Sequence, residues 1–116
     1  VDPAGPPTWT QVHNMIVNGD PSVAGDATCV SCHVAGPNGL FMTADKNATY
    51  ANLVNVASTC GEDYIEPNNP GASFLYEKLQ PSPACGLQMP QSGPPYWSAT
   101  AIQMVADWIN TGAPNN

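Results

Sequence analysis

Apolar side chains recur at helical spacing in four stretches of this chain, and turn-forming residues fill most of what lies between. After Thr8, whose hydroxyl suits an N-cap, Trp9, Val12, His13, Ile16 and Val17 fall on or beside one face, and the run stops at Asn18-Gly19-Asp20-Pro21. The spacing predicts an amphipathic first helix of about ten residues. Tyr50, Leu53 and Val54 repeat at three and four behind Asp45 or Asn47 as cap, which predicts another. Asn47-Ala48-Thr49 also matches a glycosylation acceptor, but a helix start is the better reading of it. Pro70 at a first helical position, then Phe74, Leu75, Tyr76 and Leu79, predicts a helix that ends near Pro81. Ser98 caps a last helix with Ile102, Val105, Ala106 and Ile109 on its apolar face and Trp108 beside them; Gly112 and Pro114 end it.

The connections are long for so short a chain. Residues 1–7 read as an extended lead-in, 19–28 as a polar loop, Gly36-Pro37-Asn38-Gly39 as a turn and 55–69 as a loop, while 80–97 hold five prolines. With 13 Pro and 10 Gly in 116 residues, much of the chain is irregular, and a single domain over residues 1–116 has a modest core. Such a chain needs something to wrap around. There is no internal repeat or low-complexity tract.

Charge narrows the partners. Nine acids face two bases, Lys46 and Lys78, with no Arg, for a formal net charge of -7. Nucleic acid and anionic membranes attract Lys/Arg patches and are therefore not expected partners. No run of about 18 apolar residues occurs, so no membrane insertion is expected.

The chemistry lies at Cys29-Val30-Ser31-Cys32-His33. Two cysteines three positions apart, followed at once by a histidine, form the attachment signature of a c-type haem. The two thiols add to the two vinyl groups on one porphyrin edge, and the imidazole meets the iron from one face. A helical turn over Cys29–His33 is expected from that geometry. Pro37 is the expected carbonyl for the second ring N–H of His33, a contact that fixes ring orientation and raises basicity. The competing reading is half of a zinc site completed by Cys60 and Cys85, but zinc ribbons present their second pair closely spaced, which these two are not. A thioredoxin-like pair would want an apolar strand before it, and Gly25-Asp26-Ala27-Thr28 offers none.

Haem attachment through cysteines is carried out outside the cytoplasm in bacteria, so the chain is expected to be a mature periplasmic or otherwise secreted product whose export signal has been removed. In that oxidising setting Cys60 and Cys85, the cysteines left after haem attachment, are expected to form a disulfide. Of the other possible iron ligands, His13 reads as a core-edge histidine. Met89, in the stiff loop Cys85-Gly86-Leu87-Gln88-Met89-Pro90, is either a soft thioether ligand or a core gap-filler on its own residues. Met15 and Met104 belong to the terminal helices, and Met42 lies only nine positions beyond His33.

Taken together, the early amphipathic helix, Cys29-Val30-Ser31-Cys32-His33, the Met89-Pro90 loop and a final helix with Trp108-Ile109 and a Gly112-Ala113 end resemble the small His/Met-ligated monohaem cytochromes c, over nearly the whole chain. The resemblance implies an all-α fold of four to five short helices around one covalent haem, with first and last helices crossing. It implies thioethers at Cys29 and Cys32, His33 as proximal and Met89 as distal iron ligand, and Tyr50, Tyr76, Tyr96 and Trp97 as candidates to line the pocket or bond a propionate. Cys60, Cys85 and the scarcity of lysine depart from many relatives, and speak against a basic docking ring. The expected function is a soluble electron carrier serving redox partner proteins. The alternatives are a haem enzyme or gas sensor with a labile distal ligand, and an electron-entry subunit of a larger oxidoreductase. No nucleophile, phosphate loop or paired-carboxylate site is visible, so no catalytic residue is assigned.

Overall fold

The computed structural model of the chain describes residues 6–21, 28–36, 39–81, 83, 85–89 and 96–116. Helices α1 (Trp9–Asn18), α2 (Val30–His33), α3 (Lys46–Leu53), α4 (Phe74–Lys78) and α5 (Ala99–Asn110) follow one another, with a 3₁₀ turn at Pro70–Ala72 before α4. Among the described residues there is no β-strand, and only two isolated bridges, Val54 with Ile65 and Ala57 with Asp63, pair extended backbone. The fold is all-α. Most of the lead-in, residues 1–5, and residues 22–27 of the polar loop lie outside the described residues.

Local chemistry sets the helix ends. Thr8 and Gln11 form a reciprocal capping box, in which Thr8 Oγ1 accepts from the Gln11 amide and Gln11 Oε1 accepts from the Thr8 amide. Gly19, at φ 85°, sends its N–H to Met15 O and stops α1. Asp45 caps α3 with one carboxylate oxygen on two amides, and Ser98 caps α5. At the far end of α5, Gly112 N–H reaches Ile109 O and Ala113 N–H reaches Trp108 O, which is a Schellman closure with Gly112 at φ 98°.

The terminal helices meet through Trp9 and Trp108. Their rings stack at 5.1 Å with 28° between planes, both are fully buried, and Tyr50 meets each edge-on. Each indole N–H finds a carbonyl: Trp9 Nε1 donates to Lys46 O and Trp108 Nε1 to Pro114 O. The C-terminal tail folds back over this cluster, so that Tyr50 donates to Ala113 O and the Trp9 amide to Asn116 Oδ1. Trp108 is thus central to α5, whereas Ile102, placed by spacing on its apolar face, is only half-buried.

Two segments differ from the reading of the sequence. The helix expected from Pro70 to near Pro81 is broken at Ser73, which is extended at φ -103° and ψ 113°. Its buried hydroxyl accepts from the Glu66 amide and donates to Asn69 O, while the Phe74 and Leu75 amides bond Asp63 O and Tyr64 O instead of the preceding turn. Those donors are claimed by the 55–69 loop, which doubles back on α3 through Ile65 N–H to Leu53 O and Asn55 N–H to Ile65 O. The loop therefore supplies Tyr64 and Ile65 to the core.

Trp108→Ala should cost about 3–5 kcal/mol, the range for deleting a buried aromatic, measured by denaturant unfolding. A second expectation concerns acid. Hydrogen bonding to Glu77 raises the Glu62 carboxyl above its ordinary 4.5, with burial and like charge adding, and Asp63 does the same to Glu66. With folded values above the unfolded ones, the folded state binds more protons, so the contribution to stability is full below about 4.5 and is lost as pH rises through the raised values. Unfolding midpoints should therefore rise as pH is lowered from 7 toward 5, and Glu62→Gln should flatten that dependence.

Candidate functional site

The Cys29 amide donates to Ile16 O at 2.9 Å, which fixes the start of the motif to the last turns of α1. From there one helical turn forms, with His33 N–H on Cys29 O at 2.9 Å and Val34 N–H on Val30 O at 3.1 Å. Cys29 and Cys32 are three positions apart on that turn, so both side chains leave from one face. Neither is in a disulfide. Cys29 packs against the core cluster, and burial, with Cys32 beside it, pushes its thiol up to about 12; Cys32 is exposed.

His33 is held on both its backbone and its ring. Its carbonyl accepts the amides of Gly36 and Met42, each at 3.1 Å, which folds the Leu40–Met42 segment back onto the motif. Its Nδ1 donates to Leu40 O at 3.2 Å. In a neutral ring this assigns the proton to Nδ1 and leaves the Nε2 lone pair for another partner. The expected Pro37 carbonyl lies outside the described residues; the acceptor found is Leu40, three positions further on. The route there turns at Gly36 and Gly39, both at positive φ and joined by Gly39 N–H to Gly36 O, with the Phe41 ring so close on Gly36 that a Cβ would not fit.

Cys60 and Cys85 are disulfide-bonded, with Cα atoms 6.3 Å apart. Two of the four thiolates of the zinc alternative are thereby removed, and among the described residues no three His, Cys, Asp or Glu side chains converge as a metal group. The bond ties the loop after α3 to residues 85–89. That segment is also held to the end of α4: Met89 N–H donates to Lys78 O at 2.7 Å, Lys78 Nζ to Cys85 O at 3.1 Å and Gln88 Nε2 to Leu79 O at 3.4 Å. Burial lowers the Lys78 ammonium below its ordinary value, with the nearby Glu77 opposing.

The possible iron ligands separate by burial. Met15 and Met42 lie in the core cluster and Met104 packs against it, whereas Met89 is half-buried and, among the described residues, outside that cluster. His13 is buried against Trp9, and its Nε2 donates to Thr43 O at 2.9 Å, so it is a core histidine with its proton committed. Of the aromatic candidates, Tyr50 spends its hydroxyl on Ala113 O, Trp97 is core, and Tyr76 and Tyr96 are half-buried. Among the described residues three large apolar side chains stand exposed: Val34, next to His33; Phe41, next to Leu40; and Leu87, two before Met89. All three flank segments that carry the expected ligands or their support. The Leu40 carbonyl and Lys78 are the contributions the sequence reading missed. A backbone acceptor leaves no residue-type signal, but Lys78 is one of only two cations and stands out by that scarcity.

No family model, curated protein or solved structure matches the chain.

Linking Cys60 to Cys85 contributes roughly 3.5 kcal/mol in the chain-entropy model. Denatured intact mass with and without reductant should show two thiols released on reduction, and the paired Cys60→Ala and Cys85→Ala variant should unfold at correspondingly lower denaturant.

Proposed function

We propose that this chain is a c-type haem electron carrier of the small monohaem cytochrome c kind, working outside the cytoplasm. The observation that carries the reading is Cys29, Cys32 and His33 on one helical turn, with both thiols outside any disulfide and Nδ1 of His33 bonded to Leu40 O. The residues fit the group. Two thiols on one helix face suit two thioethers, and an imidazole protonated at Nδ1 suits a metal at Nε2. The exposed Val34, Phe41 and Leu87 suit contact with an apolar ring. A haem held there would supply a one-electron Fe(III)/Fe(II) couple.

The rest of the chemistry belongs to the chain. The Leu40 carbonyl accepts the Nδ1 proton of His33, which fixes the tautomer and the orientation of the ring. Met89 would offer a neutral thioether, which would favour the reduced state relative to a second histidine and so raise the potential. His33 and Met89 are the side chains that would hold the iron of such a haem, and with both engaged a substrate would have no open place on it. The cytochrome c-like arrangement is supported by the Trp9–Trp108 contact between first and last helices and by the placement of α2 on the end of α1. Oxidising surroundings are supported by the Cys60–Cys85 bond, and no described helix is long and apolar enough to cross a membrane. Both lysines donate to backbone carbonyls, Lys46 to Asn116 O and Lys78 to Cys85 O, so docking to a redox partner rests on acidic or apolar surface, and a partner with a basic face suits it.

The optical spectrum tests the reading. The haem-loaded protein should be six-coordinate and low-spin in both oxidation states and indifferent to carbon monoxide. Met89→Ala should abolish the thioether-to-iron charge-transfer band of the oxidised protein, lower the potential and admit carbon monoxide. If the band persists in Met89→Ala but is lost on changing another methionine, the ligand is misassigned. A wild type that binds carbon monoxide readily is instead an enzyme or gas sensor.

A further inference from the structure

The segment 85–89 has little burial to hold it. Leu87 is 61 % exposed, Gly86 is exposed and Met89 is only half-buried, so hydrophobic packing cannot fix the position of the Met89 sulfur. Polar contacts converge on it instead, and two of them come from one residue. The main-chain carbonyl of Lys78 accepts the Met89 amide at one end of the segment, and the ammonium of Lys78 donates to Cys85 O at the other. The ammonium is itself placed, 5.6 Å over the Phe74 ring centroid. Gly86 makes room for it: a Cβ there would stand 2.5 Å from Nζ, and the φ of +79° suits glycine.

Resting on the reading of Met89 as distal ligand, we propose that Lys78 is the positioning residue for that ligand, clasping residues 85–89 at both ends so that the Met89 thioether is presented to the metal in one place. Holding a ligand group in its bound position lowers the ordering cost of binding. The disulfide at Cys85 fixes one point of the segment but leaves four residues to the sulfur-bearing one. The side-chain contact of Lys78 turns the Cys85 carbonyl, and the main-chain contact then sets the start of the Met89 side chain. Of the chain's two lysines, Lys78 is the one whose ammonium bonds the Met89-bearing segment.

Lys78→Leu removes the donor, keeps an apolar stem and adds no second thioether. In the haem-loaded protein it should speed hydrogen exchange at the Met89 amide and carbon monoxide binding to the reduced form by roughly tenfold each, the scale for losing a charge-assisted hydrogen bond. The charge-transfer band of the oxidised protein should weaken while helical circular dichroism stays unchanged. Gly86→Ala crowds the ammonium and also strains the backbone at φ +79°, so its effect should be equal or larger, and the part that runs through Lys78 should appear as non-additivity in the double variant. If Lys78→Leu fails to load haem, Gly86→Ala is read in the same assays. An intact band with wild-type exchange and wild-type carbon monoxide kinetics in Lys78→Leu, or simple additivity with Gly86→Ala, overturns the proposal and leaves Met89 as ligand. A wild type lacking the band overturns the distal-ligand reading, and with it the role given to Lys78.

Discussion

The stack of Trp9 on Trp108 is the contact on which the remainder of the molecule depends. It joins the first helix to the last. Tyr50 closes its edge, and the tail through Asn116 seals it against water. Because α1 is immobilised at its N-terminal half by this stack, its C-terminal half is a fixed platform, and the Cys29 amide is bonded to it at Ile16. The stiffness of the aromatic cluster is thereby transmitted along one helix to the cysteine motif.

The loops are ordered by polar bookkeeping of the backbone. Irregular chain leaves amides and carbonyls without helix or sheet partners, and each one buried unpaired would be costly. Here they are paired across the loops: Asn68 N–H with Ile109 O, Phe74 N–H with Asp63 O, and the Ser73 hydroxyl with both Glu66 and Asn69. Among the described residues no buried side-chain nitrogen or oxygen lacks a partner. This pairing breaks the helix that Pro70 begins and brings the end of α4 against residues 85–89.

The four cysteines divide by context. Cys29 and Cys32 share a helical turn beside a histidine, and Cys60 and Cys85 bridge two loops. The first pair lies outside any disulfide; the second restrains residues 85–89. Residues 85–89 are thus held from two sides, by the disulfide and by Lys78.

By itself the sequence determined what local interactions decide. Thr8, Asp45 and Ser98 announced their helices because a cap is a contact of two to four residues, and Gly19 and Gly112 marked their ends because positive φ favours glycine. The turn over Cys29–His33 was legible because all of it lies within five consecutive residues, and the Cys60–Cys85 disulfide because setting the closely spaced Cys29 and Cys32 aside leaves two cysteines. Only the tertiary structure decided the rest. The break at Ser73, the core roles of Tyr64 and Ile65, the central place of Trp108, the Leu40 acceptor for His33 and the grip of Lys78 on residues 85–89 all depend on groups far apart in the chain or on backbone atoms. A carbonyl has no residue type, and helical periodicity cannot register that a distant loop competes for a helix's first donors.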